Sequence, residues 1–156
     1  KLGIAEENSG KLITTIRRQA EKLGEKRGLD MILIDGPPGI GCPVIAATTG
    51  ATAALVVTEP TISGIHDLQR VGDLSKYFQI PAMVCINKFD INPDISKQIE
   101  EYSVSKGFTI VGKIPYDPVF TQAMVEEKTI IEYSRNGLSD MVREMWEKIM
   151  STVNSI

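Results

Sequence analysis

The sequence alternates short apolar runs that end in a polar or acidic residue with stretches that have the apolar spacing of a helix. The apolar runs cover residues 30–36, 53–60, 81–90 and 108–117. Continuous apolar runs of this length are typical of strands buried on both faces of a parallel sheet. The pattern therefore predicts an α/β fold, in which a mostly parallel sheet is flanked by helices.

Apolar residues at helical spacing predict five helices between and around these runs. The helices are expected at residues 9–28, 43–50, 63–78, 94–106 and 138–153. The chain has 156 residues, and neither a repeat nor a linker divides it. A length of this order suits one domain, so we expect a single α/β domain over residues 1–156.

Composition excludes several classes of function. The net charge of −3 gives no general attraction to nucleic acid or to an anionic membrane. No apolar run approaches the roughly 18 residues that a membrane span needs. The two cysteines, Cys42 and Cys85, belong to no CxxC or Cys/His cluster, so a structural zinc site is not expected. Two scattered thiols favour a reducing, cytoplasmic compartment.

The unusual residues of the chain follow the predicted strands. Ligands of open parallel sheets bind beyond the carboxyl ends of the strands. The segments at these ends read DGPPGIG, TEPTISG, NKFD and IPYDP. The sequence therefore predicts that four loops meet at one edge of the sheet and form one site.

The first of these loops contains Asp35, Gly36 and Gly39. It lacks the lysine and the Ser/Thr of a P-loop, and its prolines remove backbone amides that would hold phosphate. A hydrophobic strand that ends in Asp has instead the form of a Walker B element, which acts on Mg²⁺. The alternative is an ordinary strand-to-helix turn in which Asp35 caps the helix.

Two further loops indicate a nucleotide base. Residues 87–90 fit the N-K-x-D pattern, in which Asp90 would accept hydrogen bonds from guanine while Asn87 braces the loop and Lys88 packs over the base. In the last loop, Pro115 and Tyr116 can form a flat wall beside a base. Asp117 can cap the following helix, which is the alternative reading of that loop.

Other polar residues favour structural roles. The segment 7–13 contains Gly10 and Lys11 but no following Ser or Thr, so we expect an ordinary helix start rather than a phosphate loop. His66 is expected to be structural or on the surface. For Cys42, at a helix start, packing is favoured over reactivity, and Cys85 is expected in the core.

Taken together, "IDGPPGIGCP", "VTEPTISGIHDLQR", "INKFD" and "IPYD" make the chain resemble the MinD/ParA/Mrp group of deviant Walker-A ATPases. The resemblance covers nearly the whole chain from about Glu6, and is closest to MinD-superfamily proteins that carry an inserted ferredoxin-like domain. It implies the following site. Asp35 acts on Mg²⁺-bound water, Gly36 to Gly39 sense the γ-phosphate, Asn87 contacts the adenine amino group beside Lys88, and Pro115, Tyr116 and Asp117 line the base pocket.

The resemblance also implies a function for the whole protein. It implies ATP and Mg²⁺ binding, slow hydrolysis, a homodimer that closes over nucleotide, and docking of a protein partner, with a link to iron–sulfur or redox proteins. The helix over 63–78, with Asp67 and Arg70, would lie near the dimer face. An iron–sulfur cluster would belong to an upstream insert and not to these residues.

One departure from the family pattern is large. The loop KGGxGK[ST], which supplies the phosphate cradle, is absent from this sequence. We therefore expect the chain to match the C-terminal half to two-thirds of such a protein, truncated at the N-terminus, and to hydrolyse nothing alone. The alternatives are a GTPase of the same class, supported by NKFD, and a non-enzymatic interaction module that keeps the fold. A flavodoxin-like or response-regulator-like domain is a weaker alternative.

Overall fold

The computed structural model describes residues 5–37, 39, 41–134 and 137–156. Seven helices and three strands follow one another along the described chain. In order they are α1 (Ala5–Arg27), α2 (Cys42–Thr48), β1 (Ala54–Thr58), α3 (Ile62–Tyr77), β2 (Ala82–Asn87), α4 (Pro93–Ser105), β3 (Thr109–Ile114), α5 (Pro118–Val125), α6 (Ile130–Tyr133) and α7 (Gly137–Asn154). A single 3₁₀ turn, Phe89–Ile91, lies between β2 and α4.

The three strands form one parallel sheet in the order β1-β2-β3. Ala54 of β1 pairs with Ala82 of β2, and Asn87 of β2 pairs with Ile114 of β3. The register between β2 and β3 shifts once, between Val84 and Cys85. Since the strands are parallel, their carboxyl ends lie at the same edge of the sheet. The predicted α/β fold with a parallel sheet flanked by helices is therefore confirmed.

Helices cover β2 from both faces of the sheet. On one face, Val84 and Ile86 pack with Leu68 of α3 and Ile99 of α4. On the other face, Met83 and Cys85 pack with Val111 of β3 and Ile149 of α7. All residues from Ala82 to Ile86 are buried. Burial on two faces explains why the sequence of β2 is a continuous apolar run without polar alternation.

The strand expected at residues 30–36 does not form. The segment from Leu29 to Pro37 has no regular secondary structure, and Met31, Ile32 and Leu33 are exposed. Every ladder hydrogen bond of a strand needs a neighbouring strand. Within the described part of the chain, no strand pairs with this segment. The apolar run supplied suitable side chains, but it did not supply a partner, so this prediction was wrong.

The first two helices pack against each other. The guanidinium of Arg17 in α1 donates hydrogen bonds to the carbonyl oxygens of Ala46, Ala47 and Thr49 at the end of α2. These carbonyls have no partner within their own helix, so Arg17 caps α2 and complements its dipole. The turn after α1 is closed by Gly28, whose φ of +62° favours glycine.

The helices predicted from sequence all form, with ends that differ by a few residues. Four helices have short polar side chains as N-caps, including Thr61 before α3 and Asn92 before α4. Two helices, α5 and α6, lie outside the five predicted ranges, although a helix capped by Asp117 was considered. α6 has only four residues and is held by a capping box between Thr129 and Glu132. Such a short helix gives no periodic apolar signal, so its caps are its only sequence trace.

Candidate functional site at the carboxyl ends of the strands

The loop after β1 is a tight turn built around Gly64. A Cβ added at Gly64 would lie 2.2 Å from the carbonyl oxygen of Glu59, so only glycine fits there. The Gly64 amide donates to the hydroxyl of Thr61 at 2.9 Å, and the buried hydroxyl of Thr58 donates to the Gly64 carbonyl at 3.1 Å. These contacts fix the backbone of Glu59 at the edge of the sheet.

The loop after β2 is joined to the loop after β1 by one carboxylate. Oε1 of Glu59 accepts hydrogen bonds from Nζ of Lys88 at 2.7 Å and from Nδ2 of Asn87 at 3.3 Å. Lys88 has a φ of +53°, in the left-handed region that non-glycine residues rarely adopt. The backbone therefore turns sharply at Lys88 and directs it to Glu59, so the two neighbouring strand ends share one polar cluster.

The loop after β3 is joined to the 3₁₀ turn that follows β2. Oδ1 of Asp90 accepts the backbone N–H of Tyr116 at 2.7 Å. The same turn is held from below, where Oγ of Ser96 donates to the carbonyl of Phe89 at 2.5 Å. Asp90 thus braces the Pro115–Tyr116 segment from 26 residues away in sequence, and the ends of β2 and β3 form one continuous surface.

The remaining residues predicted for the base pocket lie on this surface. Pro115 is half-buried and the side chain of Tyr116 is exposed. Asp117 caps α5, because its Oδ1 accepts the N–H of Val119 at 2.8 Å. The capping role weighed for Asp117 in the sequence is therefore present, and it leaves the second carboxylate oxygen for other contacts.

The surroundings of Asp35 differ from those of the other predicted site residues. It follows no strand, and it is exposed together with Gly36. Gly39 has a φ of +91°, which favours glycine. Pro38 and Ile40 of the same loop lie outside the described residues. Among the hydrogen bonds and ion pairs of the described residues, none joins Asp35 to the loops after β1, β2 or β3. Hydrogen bonds and an ion pair therefore join three of the four loops that were predicted to form one site.

Other residues named from the sequence have ordinary surroundings. Asp67 and Arg70 form an exposed ion pair at 3.9 Å on α3, and His66 is exposed on the same helix. Gly10 and Lys11 lie inside α1 rather than at its start, so they do not form a phosphate loop. The thiol of Cys42 is exposed, whereas burial of Cys85 raises the pKa of its thiol to about 11.

The described residues lack two further features. They contain no group of three or more His, Cys, Asp or Glu side chains that could hold a metal ion between them. No helix in the described ranges combines the length and apolar character needed to cross a bilayer. A Mg²⁺ ion that keeps most of its waters needs only one or two carboxylates, so Asp35 alone remains suitable as a ligand.

Glu59 was not among the site residues predicted from the sequence. Its segment was recognised as an unusual loop, but only the structure places its carboxylate between Asn87 and Lys88. An acid that directly follows an apolar run, with a proline after it, was the available signal. Because the same pattern also describes a simple loop, the partners of Glu59 could not be read from it.

No family model matches the chain. Among curated proteins, it is 29% identical over 149 residues to an uncharacterised protein of Methanocaldococcus jannaschii, covering 96% of this chain and 49% of that protein. It is 33% identical over 99 residues to the putative septum site-determining protein MinD of Oltmannsiellopsis viridis, covering 60% of this chain and 31% of that one. The chain therefore spans about half the length of the first of these relatives and about a third of the second.

Solved structures of MinD proteins resemble the whole fold. The MinD cell division protein of Aquifex aeolicus superposes with a TM-score of 0.73 at 23% identity, over 89% of this chain and 61% of that one. The MinC:MinD cell division protein complex of the same organism gives 0.72 at 23% identity, over 89% and 59% of the two chains. The septum site-determining protein MinD of Pyrococcus horikoshii, complexed with Mg-ADP, gives 0.64 at 22% identity, over 77% and 50%.

At these identities the superpositions establish architecture. The parallel sheet flanked by helices is the fold that this chain shares with the MinD proteins, over 89% of its length for the Aquifex aeolicus protein. The chain has the MinD-like P-loop NTPase fold, and it spans roughly three fifths of the Aquifex aeolicus protein.

Proposed function

We propose that this chain forms the base-binding and metal-binding part of an ATP-dependent switch protein. The observation that carries the proposal is the polar surface where the strand ends meet, in which Glu59, Asn87 and Lys88 are joined and Asp90 holds Tyr116. Ligands of open parallel sheets bind at this edge. The Mg-ADP complex of a MinD protein with the same fold is consistent with a nucleotide as the ligand.

The base would lie between the loops after β2 and β3. Asn87 offers an amide for a hydrogen bond to the base edge, while Pro115 and the exposed ring of Tyr116 offer flat surfaces for stacking. The segment carrying Tyr116 is already held by Asp90 at 2.7 Å, so less ordering is needed on binding. Lys88 and Asp117 would border the pocket.

Asp35 would act on Mg²⁺, and Gly36 to Gly39 would respond to the terminal phosphate. A bound Mg²⁺ supplies charge stabilisation for phosphoryl transfer. The exposed carboxylate of Asp35 fits a hard cation, and the positive φ of Gly39 gives the loop a conformation that other residues rarely adopt. The phosphate cradle would come from residues outside this sequence, so this chain alone is expected to turn over no nucleotide.

In the whole protein, we propose slow hydrolysis, closure of two copies over nucleotide and docking of a protein partner. The MinC:MinD complex, formed by a protein of the same fold, supports a protein partner in general terms. The exposed Asp67–Arg70 pair on α3 would lie near the dimer face. A link to iron–sulfur proteins rests on the resemblance of the sequence motifs alone. Two free cysteines suit a reducing compartment such as the cytoplasm.

The test of the metal assignment is Asp35→Ala in the full-length protein, with Asp30→Ala as the matched control on the same exposed segment. Removing a group that stabilises developing charge lowers turnover by about 100-fold or more. We expect Mg²⁺-dependent ATP hydrolysis to fall by this amount in Asp35→Ala and to remain unchanged in Asp30→Ala. Equal turnover in wild type and Asp35→Ala would remove Asp35 from the site.

One other function has specific support, and the same measurement also tests a second alternative. The N-K-x-D pattern at 87–90 favours a GTPase of the same class, and it predicts tighter binding of GTP than of ATP. An interaction module that keeps the fold would bind neither nucleotide. Equilibrium binding of ATP and GTP to the full-length protein separates these two functions from the proposed one.

A further inference from the structure

We propose that Glu59 is a positioning residue that sets which base the site accepts, by fixing the orientation of the Asn87 amide. The inference rests on the proposed function, because it assumes that a nucleotide base meets Asn87. Glu59 itself lies outside the predicted pocket. It acts through Asn87 and Lys88 and does not contact the base.

The orientation of the Asn87 amide follows from the chemistry of its partner. An ionised carboxylate can only accept hydrogen bonds, so the side of the amide that faces Glu59 must be the NH₂ group. The distance from Nδ2 of Asn87 to Oε1 of Glu59 is 3.3 Å. The amide oxygen of Asn87 is then directed away from Glu59 and is left to accept a hydrogen bond from a ligand.

An outward carbonyl oxygen distinguishes the two purines. Adenine presents an amino donor at its C6 position, whereas guanine presents a carbonyl acceptor at the same position. Asn87 held by Glu59 therefore attracts adenine, and it places two acceptors against each other when guanine is bound. The preference arises from an unsatisfied acceptor as well as from a hydrogen bond gained.

The residue that would read guanine is engaged elsewhere. In the N-K-x-D pattern, Asp90 is the residue expected to accept hydrogen bonds from guanine. Here its Oδ1 accepts the N–H of Tyr116 at 2.7 Å. Only Oδ2 of Asp90 is then left for a base, and a carboxylate that turned both oxygens toward guanine would lose the bond to Tyr116. Asp90 therefore acts as a brace for the pocket wall, which weakens the reading of this motif as a guanine site.

The position of Glu59 is itself well determined. Its backbone is held by the close approach of Gly64, where a Cβ would meet the Glu59 carbonyl at 2.2 Å. Its carboxylate is held by Lys88 at 2.7 Å, and both side chains are 40% exposed. An ion pair this exposed adds little to folding stability. Loss of Glu59 should therefore change nucleotide preference much more than it changes the stability of the fold.

The test measures equilibrium binding of ATP and GTP, each with Mg²⁺, to the full-length protein and to three variants. Glu59→Leu removes both carboxylate oxygens at a similar side-chain size, so no acceptor fixes the orientation of the Asn87 amide. Glu59→Lys presents only donors, so the oxygen of the Asn87 amide turns toward it and the NH₂ turns toward the base. Glu126→Leu removes the acid of another exposed ion pair, to Lys128 at 2.8 Å, and serves as the matched control.

We expect the wild type to prefer ATP over GTP. The preference should fall about threefold to tenfold in Glu59→Leu, as for the loss of one oriented hydrogen bond, and should reverse toward GTP in Glu59→Lys. Glu126→Leu should keep the wild-type ratio. Since Glu59→Leu introduces no new charge, it remains informative even if Glu59→Lys does not fold, which thermal unfolding of each variant would reveal.

The contradicting outcomes are distinct. An unchanged ATP-to-GTP ratio in folded Glu59→Leu would overturn the role of Glu59 while leaving nucleotide binding intact. A wild type that prefers GTP would also overturn it and would support the GTPase alternative. A wild type that binds neither nucleotide would overturn the proposed function itself, together with this inference.

Discussion

Two segments of the chain have similar apolar sequences, but one forms a buried strand and the other forms no strand. Residues 31–34 read Met-Ile-Leu-Ile, and residues 83–86 read Met-Val-Cys-Ile. The second run forms the centre of the sheet, where Ile86 is 0% exposed. The first run forms no strand, and Leu33 is 80% exposed. Local sequence is matched, so the difference must come from the surroundings of each run.

The surroundings differ in the number of partners. β2 pairs with β1 on one side and β3 on the other, and helices cover both of its faces. Residues 31–34 have no strand beside them among the described residues, and Ile32 lies against α1 near Gly24. β1 is intermediate, since it has one described neighbour and its Val57 is 60% exposed. An apolar run therefore becomes a buried strand only where neighbouring strands and helices surround it.

The sharpest test of this comparison truncates one residue in each run. Ile86→Ala leaves a cavity between the sheet and the helices, and it should lower the free energy of unfolding by about 2–5 kcal/mol. Leu33→Ala removes an exposed side chain and should change it by less than about 0.5 kcal/mol. Urea denaturation of both variants measures the difference. Equal losses would show that the first run is packed as tightly as β2.

A second test uses the two thiols. Cys42 follows the first apolar run by eight residues, and Cys85 lies within the second run. Cys42 is exposed at the start of α2, whereas Cys85 is buried in β2. A thiol reagent at pH 8 should modify Cys42 at once and Cys85 at least about 100-fold more slowly, because reaction at Cys85 requires opening of the sheet. Cys42→Ser isolates the slow reaction. Similar rates at the two thiols would contradict the described burial of β2.

The same thiol predicts a pH dependence of stability. Burial raises the pKa of Cys85 from 9.0 to about 11, so the native state holds its proton more tightly than the unfolded chain does. The resulting stabilisation is complete below pH 9 and is lost as the pH rises toward 11. The urea midpoint of the wild type should therefore fall more steeply over this range than that of Cys85→Ala.

The smallest expected effect lies at the contact between α1 and α2, the helices on either side of the first apolar run. This contact is made by polar hydrogen bonds. Arg17→Met keeps the apolar stem but removes the hydrogen bonds to Ala46 and Ala47 at the end of α2. Hydrogen exchange in α2 should speed up by the equivalent of about 1 kcal/mol. Exchange in β2 should not change, and Arg18→Met, at the exposed neighbouring position, should have no effect on either. Faster exchange in β2 would mean that α2 and β2 open together.

Much of the fold was predictable because its signals are local. The apolar runs at β1, β2 and β3 and the helical spacing of α3, α4 and α7 identified a parallel α/β sheet and placed its strand ends together. The N-cap role weighed for Asp117 was also visible, since a cap depends on neighbours two or three residues away. The short helix α6 was missed because four residues carry no period.

The sequence by itself determined which segments could be strands or helices and which polar residues follow the strands. Only the tertiary structure decided that residues 31–34 remain outside the sheet, that Glu59 holds Asn87 and Lys88, and that Asp90 is used to brace Tyr116. The physical reason is the range of the interactions. Spacing and capping depend on residues a few positions apart, whereas strand pairing and these polar contacts join residues 26 or more positions apart, which no local pattern specifies.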